Sequence, residues 1–340
     1  MIIREKQHPL ELGGQRGTLD RITWTFPHQE AVIKPGELHE DLDTGRAGAG
    51  HVIQVGDSYR MYYWATGSDG YHHICLAETS VDQPNGWKAC GSVLNWQPGT
   101  EHNDQGPGFP FVVPQEDGRW LMFFCGWGKP RADKRLPNTT GVAFSDDGGR
   151  RFHYRHDAPT LGMDRPWDSE GTGSVFVRRE GKRLQMYYTA IGHYFDRPEG
   201  VQTGHGDVIP RIGIGYAVSD DGMQWTKPQD DLMVSPRGFG TEPYEYISSK
   251  PFLLEEEDGW RMWLHTFGTA YRVRSLVGRD GLNWEWQESG IDGEFGVGPA
   301  GSFDDRQRCY VSVVKFEDTY RCWFTGNGFG QTGMGYAEGV

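Results

Sequence analysis

The sequence predicts an all-β fold, a five-bladed β-propeller of four-stranded antiparallel blades closed by an N-terminal strand that completes the last blade. Three observations carry this reading. A short aromatic and methionine pattern recurs five times along 340 residues, Gly and Asp turns frame each copy, and the last copy stops one strand short while a spare strand stands near the N-terminus. Internal repetition at this period marks architectures in which each unit packs only against its neighbours. The composition agrees. Aromatics at 13% beside 49 glycines pair bulky packing residues with turn residues, as a chain of short strands requires.

The clearest element is the second strand of each blade. It reads Tyr59-Arg60-Met61-Tyr62-Tyr63, Trp120-Leu121-Met122-Phe123-Phe124, Leu184-Gln185-Met186-Tyr187-Tyr188, Trp260-Arg261-Met262-Trp263-Leu264 and Tyr320-Arg321-Cys322-Trp323-Phe324, with Cys in the last Met position. A turn and an apolar run precede each copy (Gly56-Asp57, Asp117-Gly118, Glu180-Gly181, Asp258-Gly259, Glu317-Asp318), which is a hairpin signature. A third strand follows, plainest in Ile212-Gly213-Ile214-Gly215-Tyr216-Ala217 and Gly333-Met334-Gly335-Tyr336-Ala337. An Asp-Gly turn then leads to an aromatic fourth strand at Trp225, Trp284 and, more loosely, Phe152.

The fifth copy ends at Val340 without a fourth strand, and Leu19-Asp20-Arg21-Ile22-Thr23-Trp24 resembles the missing piece. The expected blades are 43–96, 104–156, 168–226, 244–287, and 304–340 completed by 18–26, in one domain over 1–340. Such closure leaves no long sheet edge unpaired.

Bulk properties exclude several functions. A formal net charge of -13 opposes binding to nucleic acid or anionic membrane surfaces, and no run is apolar enough to span a bilayer. Five cysteines without CxxC or CxxH spacing read as buried thiols of a reducing compartment. With no apolar run behind Met1-Ile2-Ile3-Arg4-Glu5-Lys6, a cytoplasmic location is expected. The Gly-rich stretch 326–330 has no following helix and reads as a turn rather than a phosphate cradle. His72-His73 and His193 with His205 lack zinc spacing, and no Gly-x-Ser-x-Gly elbow is present. No organic cofactor is called for; a structural calcium or other ion in the central channel is compatible with the fold.

Whatever recurs in every blade serves the fold first, so departures from the repeat point to function. Eighteen residues before the Met position stand Asp43, Asp104, Asp168, Tyr244 and Asp304. Recurrent aspartate suits the capping of a turn, although these turns also ring one mouth of the channel. The departures are Glu170, two residues beyond Asp168, then Glu245 beside the one replaced aspartate, and Lys250 on an innermost strand. A buried lysine must be paired or reach ligand. An ion pair with Glu245 or an aspartate is one reading, ligand binding the other. His51 is a donor to ligand or a satisfied core histidine. Trp64, Trp127 and Trp167 offer flat faces for sugar rings or pack the blades. Carboxylates converging on an aromatic-rimmed funnel suit glycosidic chemistry, in which one acid protonates the leaving oxygen and another carboxylate attacks or activates water.

The pattern resembles the five-bladed propeller glycosidases, the superfamily of arabinanases, xylosidases, invertases and levansucrases, and is nearest to invertase-like bacterial members. The resemblance runs from about Asp20 to Val340 and rests most on Tyr320-Arg321-Cys322-Trp323-Phe324-Thr325-Gly326-Asn327-Gly328-Phe329-Gly330 and Trp167-Asp168-Ser169-Glu170-Gly171-Thr172-Gly173-Ser174. It implies an aspartate base or nucleophile in the first blade, a stabilising aspartate in the second and a glutamate acid in the third. By blade these roles fall on Asp43, Asp104 and Glu170, with Asp168 and Glu245 as substitutes. The first blade departs from the pattern, with Gly48-Ala49-Gly50-His51 where an aspartate usually opens the strand.

The expectation is a glycoside hydrolase or transglycosylase acting on a small or terminal glycan, with carbohydrate as its partner. Phosphorolysis would need a cationic pocket, for which Lys250 with Arg306 or Arg308 is the candidate set. Asp304 and Arg308 are expected among the substrate-binding residues. A non-catalytic carbohydrate-binding propeller would keep the aromatics without a working acid pair.

Overall fold

The computed structural model describes residues 19–98, 101–129, 137–155, 158–238 and 244–340. The start of the expected 1–340 domain, including residue 18 of the closing segment, lies outside the described residues. The strands fall into three four-stranded antiparallel sheets and one of seven strands.

Strand β1 (Trp24–Thr25) is the N-terminal piece of the last sheet. The first sheet holds β2 (Arg46–Val55), β3 (Ser58–Thr66), β4 (His72–Ser80) and β5 (Lys88–Leu94) in that order. The second holds β6 (Gly106–Pro114), β7 (Trp120–Trp127), β8 (Asn138–Ser145) and β9 (His153–Tyr154). The seven-stranded sheet runs β10 (Gly171–Glu180), β11 (Arg183–Asp196), β12 (Val208–Ser219), β13 (Ile247–Glu256), β14 (Gly259–Phe267), β15 (Tyr271–Gly278) and β16 (Glu285–Trp286). Its halves meet through a single parallel pairing, Ile212 with Ile247. The last sheet orders β1, β19 (Met334–Gly339), β18 (Thr319–Thr325) and β17 (Cys309–Phe316).

The recurrent methionine position is the centre of each sheet. Met61, Met122, Met186, Met262 and Cys322 are fully buried, and each faces a branched aliphatic on the strand before it: Val52, Val112, Val177, Leu253 and Val313. The following residues, Tyr62, Phe123, Tyr187, Trp263 and Trp323, are buried on the opposite face. Both faces of these strands lie against neighbouring sheets, so the sequence reads as a continuous bulky run rather than an alternation. The hairpins form where the turn residues predict them. Val55 pairs Ser58, Glu180 pairs Arg183, Glu256 pairs Gly259 and Phe316 pairs Thr319, each across two residues. The fourth strands are shorter than expected. Only β5 is long; β9 and β16 are two-residue strands, and the expected strand at Trp225 is reduced to a bridge between Val218 and Thr226.

The first strands β2, β6, β10, β13 and β17 each pack on the next, and β17 packs back on β2. All five carry a bulge within their first five residues. In four of them a side chain is held there at positive φ: Ala49 (48°), Phe109 (47°), Lys250 (44°) and Tyr310 (56°). A bulge takes backbone N–H groups out of the ladder, and these must find other acceptors. Neighbouring sheets, or the other half of the seven-stranded sheet, supply them. The amide of Ala49 donates to Thr325 Oγ1, that of Val52 to Ser312 Oγ, Val112 to His51 Nδ1, Lys250 to Thr189 Oγ1, and Val311 to His265 Nε2, at 2.8–3.0 Å.

The expected splice of the chain ends is present. Trp24 pairs Gly339 and Thr25 pairs Glu338, and the Thr23 and Val340 amides exchange hydrogen bonds with each other's carbonyls. Trp24 packs against Trp263, Phe295 and Tyr320 with centroids 5.1–6.3 Å apart. Because strands alternate in direction, the starts of the first strands lie at the same end as Thr66, Trp127, Asp196, Phe267 and Thr325, the last residues of the second strands. This end is called the mouth below.

Candidate functional site at the mouth

The recurrent acids are locked into turns. Asp43 is fully buried; Tyr63 Oη donates to it at 2.7 Å and the Gly36 amide at 2.9 Å. Burial opposes its ionisation, but hydrogen bonds from His39, Tyr63 and Gly36 outweigh that and hold the carboxyl below its ordinary value. Asp168 is equally buried, accepting from Tyr188 Oη at 2.7 Å and Lys227 Nζ at 2.6 Å. Asp304 accepts from Arg308 Nε at 2.7 Å and Ser302 Oγ at 2.6 Å. Of the two readings of these aspartates, the geometry gives the turn cap. The base role that resemblance gave Asp43 and the substitute role of Asp168 find both their carboxylates already engaged.

Asp104 requires a correction of register. The hairpin after β6 spans five residues, from Pro114 to Trp120, where the others span two. A fixed count back from Met122 therefore falls one residue short, and Asn103 occupies the capping position, 1% exposed, with its Nδ2 donating to Tyr154 Oη. Asp104 is displaced outward, half-buried, its Oδ2 accepting from Gln105 Nε2 at 2.8 Å. Glu170 is also half-buried at the start of its first strand, its amide donating to the Ile191 carbonyl at 3.0 Å. The equivalent amides in the sheets on either side are those of Gln105, to Trp127, and Tyr246, to Phe267.

Several expected ligand-facing residues belong to the framework. Glu245 is fully buried in a two-point pair with Arg274 at 2.8 and 2.9 Å, with Thr266 Oγ1 at 2.8 Å. It does not pair with Lys250, whose Nζ donates to the Val311 carbonyl at 3.2 Å. No carboxylate among the described residues reaches Lys250, and burial pushes its pKa down to about 8. Burial, then the charge of Lys250, lowers His51 to about 3. His51 stacks on Phe111 at 4.0 Å, and its Nδ1 accepts from the Val112 amide at 2.9 Å. Trp167 is 6% exposed with Nε1 donating to Tyr188 Oη, so it packs inside the sheets rather than on the rim. Arg308, paired with Asp304, donates also to the Phe295 carbonyl and lies over the Phe26 ring at 3.7 Å. It is not available to a phosphate. Among the described residues no group of three or more His, Cys, Asp or Glu is placed to hold a metal ion.

What the mouth presents is aromatic. Trp64 stacks on Trp127 (5.5 Å) and contacts Phe109 (5.1 Å), and Phe109 meets Tyr310 edge-on (4.9 Å). Tyr310 continues to Tyr271 and Phe329, and Tyr271 to Phe267 (4.8 Å). The bulges at Phe109 and Tyr310 turn these rings onto the belt. Of the tryptophans named from the sequence, Trp127 is half-buried in this belt and Trp64 lies buried beneath it at 4% exposed, while Tyr271, Tyr310 and Phe329 were missed; Phe329 sits in the Gly-rich turn. Arg46, the first residue of β2, was also missed and lies 4.2 Å over Trp64. Burial, then the charge of Arg46, holds His72 at about 4, so that imidazole is neutral. The 192–211 insertion lengthens the β11–β12 hairpin and leans on the mouth, His205 Nδ1 lying 2.7 Å from Tyr246 Oη. A pocket of about 240 Å³ opens there, lined by Phe195, Arg211, Tyr244 and Tyr246. A separate groove of about 520 Å³ lies at the hairpin end between Arg119, Arg179 and Asp221, far from these residues.

No protein-family model matches the chain. Uncharacterized protein Rv1502 of Mycobacterium tuberculosis is 28% identical over 304 residues, covering 87% of this chain and 94% of that protein. Among solved structures, BT0996 in its RGII complex superposes with a TM-score of 0.69 at 17% identity, over 93% of this chain and 91% of that one. A member of the GH130 family of mannoside phosphorylases, which contains glycoside hydrolases targeting β-1,2 mannosidic linkages in Candida mannan, gives 0.65 at 13% identity over 94% of both chains. Zg3597, a family 117 glycoside hydrolase of the marine bacterium Zobellia galactanivorans, gives 0.61 at 13% identity over 94% and 90%. Along nearly its whole length, then, the chain has the fold of propeller-like glycoside hydrolases.

Proposed function

We propose that this protein is a glycoside hydrolase of the five-bladed propeller superfamily, one domain over 1–340, with its active site at the mouth. The seven-stranded sheet is read as two blades in contact through one parallel pair, which makes the ring of first strands a ring of five blades. Glu170 is the general acid, and Asp104 is the carboxylate that attacks or activates water. The observation that carries this reading is position. Asp43, Asp168 and Asp304 are buried within the turns as caps, whereas Asp104 and Glu170 stand half-buried at the starts of adjacent first strands, beside an aromatic rim suited to sugar rings. Similarity of fold to glycoside hydrolases supports it.

The test is turnover of a panel of aryl glycosides and oligosaccharides by the wild type, Glu170→Gln and Asp104→Asn. Each variant should lose about 10²-fold or more in kcat with ligand affinity retained, since an amide keeps shape but neither donates nor accepts the proton at working pH. Near-normal turnover in either variant removes that residue from its role. Phosphorolysis is the second reading, favoured by the Arg46 guanidinium at the mouth. Product that appears as sugar phosphate only when phosphate is added would establish it over hydrolysis.

A further inference from the structure

Three buried donors cluster at one side of the mouth with no acceptor among the described residues. Arg46 Nε, Trp64 Nε1 and Trp127 Nε1 are all shielded from water, and none has a hydrogen-bond partner there. They belong to one assembly, with the Arg46 guanidinium 4.2 Å over the Trp64 ring and Trp64 stacked on Trp127 at 5.5 Å. Trp64 is only 4% exposed. The hydrogen bond that Arg46 does make is a long one, Nη1 to Thr66 Oγ1 at 3.4 Å, and no carboxylate of the described residues lies within ion-pair distance. Other buried arginines of this chain are answered: Arg274 by Glu245, Arg261 by Glu256, Arg308 by Asp304. Arg178 and Arg272 also have an unpartnered Nε, but each guanidinium meets a carboxylate, of Glu180 and Asp292.

A half-buried guanidinium without a counter-ion is costly, and the indole face beneath it offsets only part of that. Orphaned N–H donors beside it add to the penalty. The missing partner is an acceptor with negative charge. The neighbouring imidazole, His72, is neutral and supplies none. The chain as a whole carries a net charge of -13, so attraction of anions is not a property of the surface at large but of this place.

We infer that the mouth recognises an acidic sugar, its carboxylate held by Arg46 and its ring against the half-buried Trp127 and the exposed Phe329. A planar carboxylate matches the guanidinium fork with two charge-assisted hydrogen bonds. This inference rests on the glycan site proposed above and narrows it to uronate-bearing substrates.

The experiment is calorimetric or NMR titration of the full chain with glucuronate and galacturonate, each against its neutral parent, glucose or galactose. The acids should bind at least tenfold more tightly, a difference of about 1.4 kcal/mol, and the preference should shrink in high salt. Arg46→Met, which keeps the aliphatic cover over Trp64, should abolish the preference, and Arg46→Lys should retain part of it. Equal binding of acid and neutral sugar to the wild type overturns the inference while leaving the glycan site standing; this comparison needs no variant to fold. Binding of neither kind of sugar overturns both. Tight binding of inorganic phosphate, lost in Arg46→Met, without any uronate preference, transfers the site to phosphate.

Discussion

Lys250 shows how one side chain can be both buried and costly. Its ammonium lies between first strands with a single carbonyl acceptor, and its pKa falls from 10.5 to about 8. In the unfolded chain it stays protonated up to about 10.5. Below pH 8 both states carry the proton, and the folded state bears the full cost of the buried charge, roughly 3 kcal/mol. Between pH 8 and 10.5 the folded protein sheds that proton while the unfolded chain keeps it, so stability from this group rises with pH. Lys250→Met should therefore raise stability at pH 7 by about 1–2 kcal/mol after losing the bond to Val311, with the gain shrinking as pH climbs towards 10. Thermal melts at pH 7 and pH 10 check both the sign and the trend.

At this scale the sequence was partly legible. Lys250 stood out because the four other copies of the repeat lack a cation there, but its lack of a carboxylate partner depended on Arg274 claiming Glu245 from another strand. The fate of the aspartates was written more locally. Where the residue two beyond the Met position is Tyr, as in Tyr63 and Tyr188, the aspartate is capped by its hydroxyl. The copies with Phe124 and Phe324 lack that hydroxyl.

Among elements, the turn 326–333 between β18 and β19 is held by close backbone approach. Gly330 has φ +95°, and a Cβ there would stand 2.4 Å from the Ala47 carbonyl oxygen; one on Gly48 would stand 2.9 Å from that of Phe329. The two glycines let the turn lie flat on β2, which sets Phe329 against Tyr310 and Tyr271. Gly330→Ala should cost about 2 kcal/mol or more, from positive φ and collision together, and should weaken ligand binding by displacing Phe329. Denaturant unfolding and ligand titration report the two effects separately. The hairpins were readable because Gly and Asp turns bound bulky runs. The fourth strands were not, because two residues hold no period to detect, and the five-residue hairpin of β6 and β7 defeated a fixed count and hid Asn103 behind Asp104.

For the molecule as a whole, closure depends on β1. Trp24 ties the last sheet to the one before it through Trp263, Phe295 and Tyr320, and the pairing with β19 covers that strand's free edge. Trp24→Ala should lower stability by about 2 kcal/mol. Deleting residues 1–26 should go further, lowering the melting temperature and causing association through the uncovered edge of β19. Calorimetry and light scattering on the same samples check the two outcomes. That splice was legible in the sequence because both halves of the broken repeat were visible, one at each end.

The same splice has a consequence in time. Thr25 Oγ1 bonds a carbonyl 313 residues away, so the contact that finishes the last sheet joins two segments far apart in sequence. During synthesis, β1 emerges well before β19 and must wait unpaired until that strand leaves the ribosome. Contacts of such long sequence separation form late, because a long loop must close before they yield anything. Every other sheet can assemble as its own residues appear, but this one must wait for both of its segments, and until β1 pairs with it β19 keeps one edge uncovered.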